Sequence, residues 1–259
     1  MLRLVLDERR QGTYAYTKGE TPCLSALFHA GRFDELLALL ALYPKPSWHE
    51  QHWAARVLAV RGDIDGAIAV IEGLRGRYAP EGALSSLAEQ LLLEAGRADE
   101  AYARYAILAN RAHTHIATFR AIVKRYPAIG PGRVLRDLIA STPGEEGKWF
   151  ATAKTLKEYD LALALARRGP VDPKTLVRAA RDSVRTLPAF AQEVALIALE
   201  CMARGEGYEL TALDVRDARD HALAAAETLG TQGAVAERMT ASLAGEGASA
   251  RWARQCLAL

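Results

Sequence analysis

The densest grouping of side chains able to do chemistry is Trp48-His49-Glu50-Gln51-His52-Trp53. His49 and His52 stand three apart, so on a helix both rings fall on one face. There they could share a metal, with His113 or His115 as a remote third ligand. The pair misses the spacing of four that a helical two-histidine zinc site requires, and no metal site is expected. Thr142-Pro143-Gly144-Glu145-Glu146-Gly147-Lys148 holds the ingredients of a phosphate loop. Only two residues separate its glycines, Trp149 stands where a hydroxyl residue would be needed, and no strand precedes it. A helix start fits better, with Glu145 and Glu146 favourable at the positive end of the dipole. No serine or cysteine sits in a nucleophile turn, and the histidines are confined to residues 29–115 plus His221. No catalytic residue and no cofactor is expected.

A cationic set lies further on. Arg178, Arg181 and Arg185 recur at spacings of three and four, which aligns them on one helix face, with Arg167 and Arg168 upstream. They could track a phosphate backbone. Aromatic residues for base stacking are missing there, so any such contact would be salt-dependent. The net charge of +2 conceals a strong pattern: residues 1–102 carry −3, residues 103–190 carry +9 and residues 191–259 carry −4. A basic block of this kind can face nucleic acid or an acidic partner. It can also dock lobes of one chain, or two copies, against each other.

The elements that must position these residues are announced by a recurring turn. Gly31-Arg32-Phe33-Asp34-Glu35-Leu36, Gly62-Asp63-Ile64-Asp65-Gly66-Ala67 and Gly96-Arg97-Ala98-Asp99-Glu100-Ala101 are spaced by 31 and 34 residues, with an echo at Lys157-Glu158-Tyr159-Asp160. The glycine suits a left-handed helix end, and the aspartate three residues on (Asp34, Asp65, Asp99) is expected to cap the next helix. Apolar residues then recur at helical spacing, as in Leu36 with Leu40 and Ala67 with Ile71. A single hairpin cannot bury such a face, whereas stacked neighbours can. Helix pairs are expected at 22–30 with 34–42, 47–60 with 65–76, 81–95 with 99–110, 113–126 with 132–140 and 146–157 with 160–168.

The segments HAGRFDELLALLALYP, AVRGDIDGAIAVIE and LEAGRADEAYARYA resemble the turn and second helix of degenerate tetratricopeptide (TPR) repeats. The resemblance is good over residues 21–110 and poor over 111–168. It implies an all-α, right-handed α-solenoid of antiparallel helical hairpins over residues 21–169, acting as a scaffold for a protein or peptide partner. In that family the first helix of each hairpin lines the concave groove. Counting back from the anchors Leu36, Ala67 and Ala101 places Thr21, Ser25 and Phe28, then His49, His52 and Arg56, then Ser86 and Gln90 in it, and Arg120 and Lys124 share a face on the fourth pair. Such a polar, partly cationic strip suits a partner with acidic groups. The segments GEEGKWFATAKTLKEYDLALALARRGPVDPKTLVRAARD and GYELTALDV, within residues 145–215, are similar to a helical module of uncharacterised bacterial proteins, which implies no activity.

Residues 1–20 could hold half of a leading hairpin. From residue 170 the rhythm changes: Asp172 and Pro173 open a helix expected to reach Thr186, a broadly apolar helix follows from Pro188, and helices at 212–229, 232–243 and 248–258 complete a non-repeat C-terminal cap over 170–259. Cys23, Cys201 and Cys256 are odd in number and far apart, without the spacing of a zinc site or disulfide framework. Neither a signal peptide nor a membrane span is apparent, and a cytoplasmic location is expected. The function expected is a non-catalytic adaptor; the alternative is a nucleic-acid-associated protein using the basic block 103–190. Partner identity and oligomeric state stay open.

Overall fold

A computed structural model describes residues 20–43, 47–76 and 79–258. The reading made for residues 1–19 lies outside them, as do Pro44, Lys45 and Pro46. Among the described residues the fold is all-α: fifteen α-helices, one 3-10 helix and no strand. The helices are α1 Glu20–His29, α2 Phe33–Leu40, α3 Trp48–Val60, α4 Ile64–Glu72, α5 Glu81–Glu94, α6 Ala98–Ala109, α7 His115–Arg125 and α8 Pro131–Ala140. After the 3-10 helix Glu146–Trp149 come α9 Phe150–Thr155, α10 Tyr159–Arg168, α11 Pro173–Ser183, α12 Pro188–Ala203, α13 Ala212–Leu229, α14 Gln232–Leu243 and α15 Ala248–Leu257.

The recurring turns take the expected backbone conformation. Gly31, Gly62 and Gly96 have φ of +69°, +86° and +76°. At each, the following amide reaches back five residues, Arg32 to Leu27, Asp63 to Leu58 and Arg97 to Leu92, at 2.8–2.9 Å. This is the Schellman closure, which satisfies a carbonyl the helix end would otherwise leave bare. The same closure recurs at Lys157 (φ +62°), where Glu158 N–H bonds Ala153 O. It recurs again at Gly205, where Glu206 bonds Cys201, and at Gly230, where Thr231 bonds Ala226.

The caps differ from the expected ones. Asp34, Asp65 and Asp99 lie inside the first turns of α2, α4 and α6, whose N-caps are Arg32, Asp63 and Arg97. Asp63 caps α4 by accepting from Gly66 N at 2.8 Å. The displaced aspartates point along the row of turns instead: Asp34 meets Arg61 and Asp65 meets Arg97, both at 2.6 Å. Their carboxylates are 94% and 83% exposed, so solvent screens both pairs and neither adds much to stability.

The chain divides into two compact units. Unit 1 comprises residues up to His113 plus Arg120–Ala128, and unit 2 comprises Thr114–Phe119 plus Ile129 onward. In unit 1, α1, α2 and α3 pack together around Leu24, Leu27, Leu36, Leu39 and Val57. Helix α3 then packs on α4 and α5, and α5 packs on α6, so each hairpin touches the next. In unit 2, α12 is buried nearly all round through Val194–Leu199, Cys201 and Met202, and is enclosed by α10, α11, α13, α14 and α15. Its width of apolar surface requires that enclosure.

The largest departures from the expected helix bounds, three in number, have local reasons. The helix expected over 146–157 is a 3-10 turn followed by α9. Gly147 lies so close to Gly169 that an added Cβ would stand 2.7 Å from its carbonyl oxygen. Helix α4 ends at Glu72 because Gly73 and the left-handed Gly76 (φ +72°) turn the chain. Helix α11 ends at Ser183, since Leu187 precedes a proline and takes an extended φ of −143°.

Candidate functional site

Ser47 and Glu50 form a reciprocal capping box that fixes the start of α3: Ser47 Oγ accepts from His49 N at 3.2 Å, and Glu50 accepts from Ser47 N at 2.6 Å. This sets the rotation of the helix that carries His49, His52 and Arg56. His52 is half-buried between Trp48 and Trp53, with ring centroids at 5.3 and 4.6 Å. Its Nδ1 lies 3.1 Å from the Trp48 carbonyl, the geometry of an Nδ1–H donor. Burial, first among the causes, lowers its pKa below the usual histidine value. It therefore stands neutral at pH 7 and cannot supply the charge expected of it. His49 is exposed beside it.

Arg56 lines a cleft of about 370 Å³ in unit 1. Three first helices converge on it: α1 through Phe28, α3 through Arg56, Ala59 and Val60, and α5 through Leu91, Glu94 and Ala95, with Gly62 and Ile64 at the turn. Arg32, Arg61, Arg75, Arg97 and Arg104 of the same unit all hold carboxylates. Arg56 holds none within 4 Å among the described residues. Phe28 packs on Trp53 at 5.4 Å, and the Trp53 indole N–H is buried without an acceptor among the described residues. Glu94 accepts from Gln90 Nε2 at 2.8 Å and borders a second cleft of about 460 Å³, shared with Gln90, Leu93 and Arg125.

Phe28 and Arg56 are thus brought together, and Gln90 borders the adjoining cleft. Ser86 turns its hydroxyl inward to the Ala109 carbonyl at 3.2 Å. Thr21 is exposed and Ser25 half-buried on α1, while Arg120 and Lys124 are exposed on α7, and none of these four lines either cleft. Val60, Leu91, Glu94 and Arg125 were not anticipated. Val60 and Glu94 are one helical turn beyond Arg56 and Gln90, so extending the same face by four residues would have found both.

The other expected sites are dispersed. Arg178 donates to Thr175 Oγ1 and lies 3.8 Å from Asp172, and Arg181 pairs with Asp182 at 2.9 Å. Arg185 falls in the turn after α11, so the three arginines do not form one helical face. Lys148 is held by Glu145 at 2.5 Å at the start of the 3-10 helix. Another cleft of about 230 Å³ lies in unit 2, bordered by His115, Lys148, Val171 and Thr175. Among the described residues no group of three or more histidine, cysteine, aspartate and glutamate side chains is placed to hold a metal ion. The Cys201 thiol is pushed up to about 12, chiefly by burial, which keeps it protonated. No described helix is long and apolar enough to cross a membrane. Comparison with protein-family models, curated proteins and solved structures finds no match to this chain.

Proposed function

We propose that the chain is a non-catalytic cytoplasmic adaptor whose hairpins stack as a TPR-like right-handed solenoid over residues 21–169, with residues 170–259 as its helical cap. It captures a protein segment in the cleft on α1, α3 and α5. The observation that carries this reading is the convergence of three successive first helices on one cleft holding an arginine without a carboxylate. The apolar walls (Phe28, Val60, Leu91) suit an apolar side chain of the partner, and Arg56 suits an adjacent carboxylate.

The alternative, a nucleic-acid-associated protein, has less support. Arg178 and Arg181 already stand beside carboxylates, which lowers what a phosphate would gain there. Affinity capture from native extract, with and without nuclease, at low and high salt, separates the two. The adaptor reading expects a discrete protein that survives nuclease and is lost with Arg56→Glu while helical content is unchanged. Capture indifferent to Arg56→Glu would reject the cleft.

A further inference from the structure

The loop between α12 and α13 is held firmly at its base and apolar at its tip. Tyr208 at the tip is 80% exposed, and Leu213 in the first turn of α13 beside it in sequence is 61% exposed. Lys174 Nζ donates to the Glu209 carbonyl at 2.7 Å, and Gly207 (φ +108°) rests against Pro173, with no room for a Cβ. Thr211 and Asp214 close the loop onto α13 through a capping box. A loop anchored at three points loses little further freedom on binding, and tyrosine is among the side chains enriched where interfaces draw most of their binding energy. Of its two acidic residues, Glu206 is paired with Arg204 at 2.6 Å, while the Glu209 carboxylate has no partner among the described residues.

The cleft on α1, α3 and α5 offers the complement: apolar walls, the free guanidinium of Arg56, and the Glu94 carboxylate, which takes one hydrogen bond from Gln90. Unit 1 itself twice sets a tyrosine hydroxyl against a glutamate, Tyr105 on Glu72 at 2.6 Å and Tyr126 on Glu89 at 2.7 Å. We infer that the occupant of this cleft is the Tyr208-Glu209 loop of a second copy of the chain. The Tyr208 ring covers Val60 and Leu91, its hydroxyl donates to Glu94, and the Glu209 carboxylate meets Arg56. This assignment rests on the cleft being a partner site as proposed above. Loop and cleft are different surfaces, so the contact is head-to-tail and extends into a chain or closes into a ring.

Sedimentation of the full chain over a concentration series tests it, with Tyr208→Ala and Arg56→Glu as variants and circular dichroism to verify that each is folded. The expected result is a parent whose mass rises with concentration and two variants that stay monomeric. Their equimolar mixture should form a one-to-one dimer, because one variant keeps the cleft and the other keeps the loop. The reversed pair Arg56→Glu with Glu209→Arg in one chain should restore association. A parent monomeric up to about 1 mM, where even a contact of 4 kcal/mol would show, overturns the inference, as does association that ignores both substitutions or a mixture that stays monomeric. If that monomeric parent still loses an extract protein on Arg56→Glu, only the identity of the occupant is wrong. If Arg56→Glu changes neither readout, the cleft reading fails with it.

Discussion

Glu89 is a carboxylate only 4% exposed, and its Oε1 accepts from Tyr126 Oη at 2.7 Å and Asn110 Nδ2 at 2.6 Å, with Arg125 Nε at 3.8 Å from its other oxygen. A buried charge is tolerable only when so surrounded. Glu89→Ala would leave the Tyr126 hydroxyl and the Asn110 amide without their acceptor, and is expected to cost about 3 kcal/mol in urea unfolding. Tyr126→Phe removes one donor and should cost about 1 kcal/mol. A second tyrosine gives a pH signature. Hydrogen bonds from Arg75 first, and then from Tyr105, hold the Glu72 carboxyl below its ordinary 4.5. Burial first, and then Glu72, raise the Tyr105 phenol from 10.0 to about 12. Glu72 therefore stabilises the fold above its ordinary pKa, and that contribution fades as pH falls through the lowered one. Tyr105 stabilises below 10.0, and its contribution fades as pH climbs toward 12. Because His52 is lowered from 6.5 and Cys201 raised from 9.0, denaturant midpoints should be flat only between about those values and fall on either side, and Tyr105→Phe should lessen the alkaline fall. Neither glutamate stood out in the sequence, because their partners lie 33 and 37 residues away and only packing brings them together.

At the scale of elements, the turns were legible because a Schellman closure is written locally, in a glycine at a helix end. The same closure at Gly205 and Gly230 lacks an aspartate three residues on, where Tyr208 and Gly233 stand, and was not read as part of the series. The aspartates were assigned the wrong task because capping depends on where the helix begins, and a shift of two residues turns a cap into a cross-hairpin ion pair. The 3-10 stretch was illegible for a related reason: nothing in Gly-Glu-Glu-Gly-Lys-Trp says that Gly147 must lie against Gly169. That contact predicts an asymmetric glycine series. Gly147→Ala places a Cβ 2.7 Å from both the Gly169 carbonyl oxygen and Val171 Cγ2, and backbone cannot yield as a side-chain tip does. A loss of roughly 1–3 kcal/mol is expected. Gly233→Ala, on α14 with open space around it, should instead stabilise by about 0.4–1 kcal/mol, since alanine restricts the unfolded chain. Thermal melts of the two variants should shift in opposite directions; equal shifts would mean that the close approach at Gly147 has no energetic weight.

For the whole molecule, the question is what the uneven charge does. The all-α class followed from composition and periodicity, and the cleft followed in part from counting along first helices. The balance of the basic block could not be counted, because it depends on which cations are already engaged. Between residues 103 and 190, Arg104, Arg125, Arg133, Lys148, Arg167, Arg178 and Arg181 all have a carboxylate within 4 Å. Arg111, Arg120, Lys124, Arg136, Lys154, Lys157, Arg168, Lys174 and Arg185 have none among the described residues, and of these Arg120 and Lys124 stand one turn apart on α7. A phosphate backbone recruits affinity in proportion to the cations that it neutralises, and engaged cations release little when they change partners. It is the raw count of sixteen cations in this block, and not its net +9, that overstates the attraction for nucleic acid, since seven are already engaged. A labelled duplex titrated with the full chain should be bound no more tightly than about 10⁻⁴ M in 150 mM salt, the weak end of non-specific association. Any binding seen at 20 mM salt should fall away as salt rises, with a logarithmic slope reduced by about one unit for each of Arg120→Ala and Lys124→Ala. Micromolar binding that persists in 150 mM salt and is lost with those two substitutions would move the functional surface from the cleft on α1, α3 and α5 to α7, and the adaptor reading would give way to the nucleic-acid one.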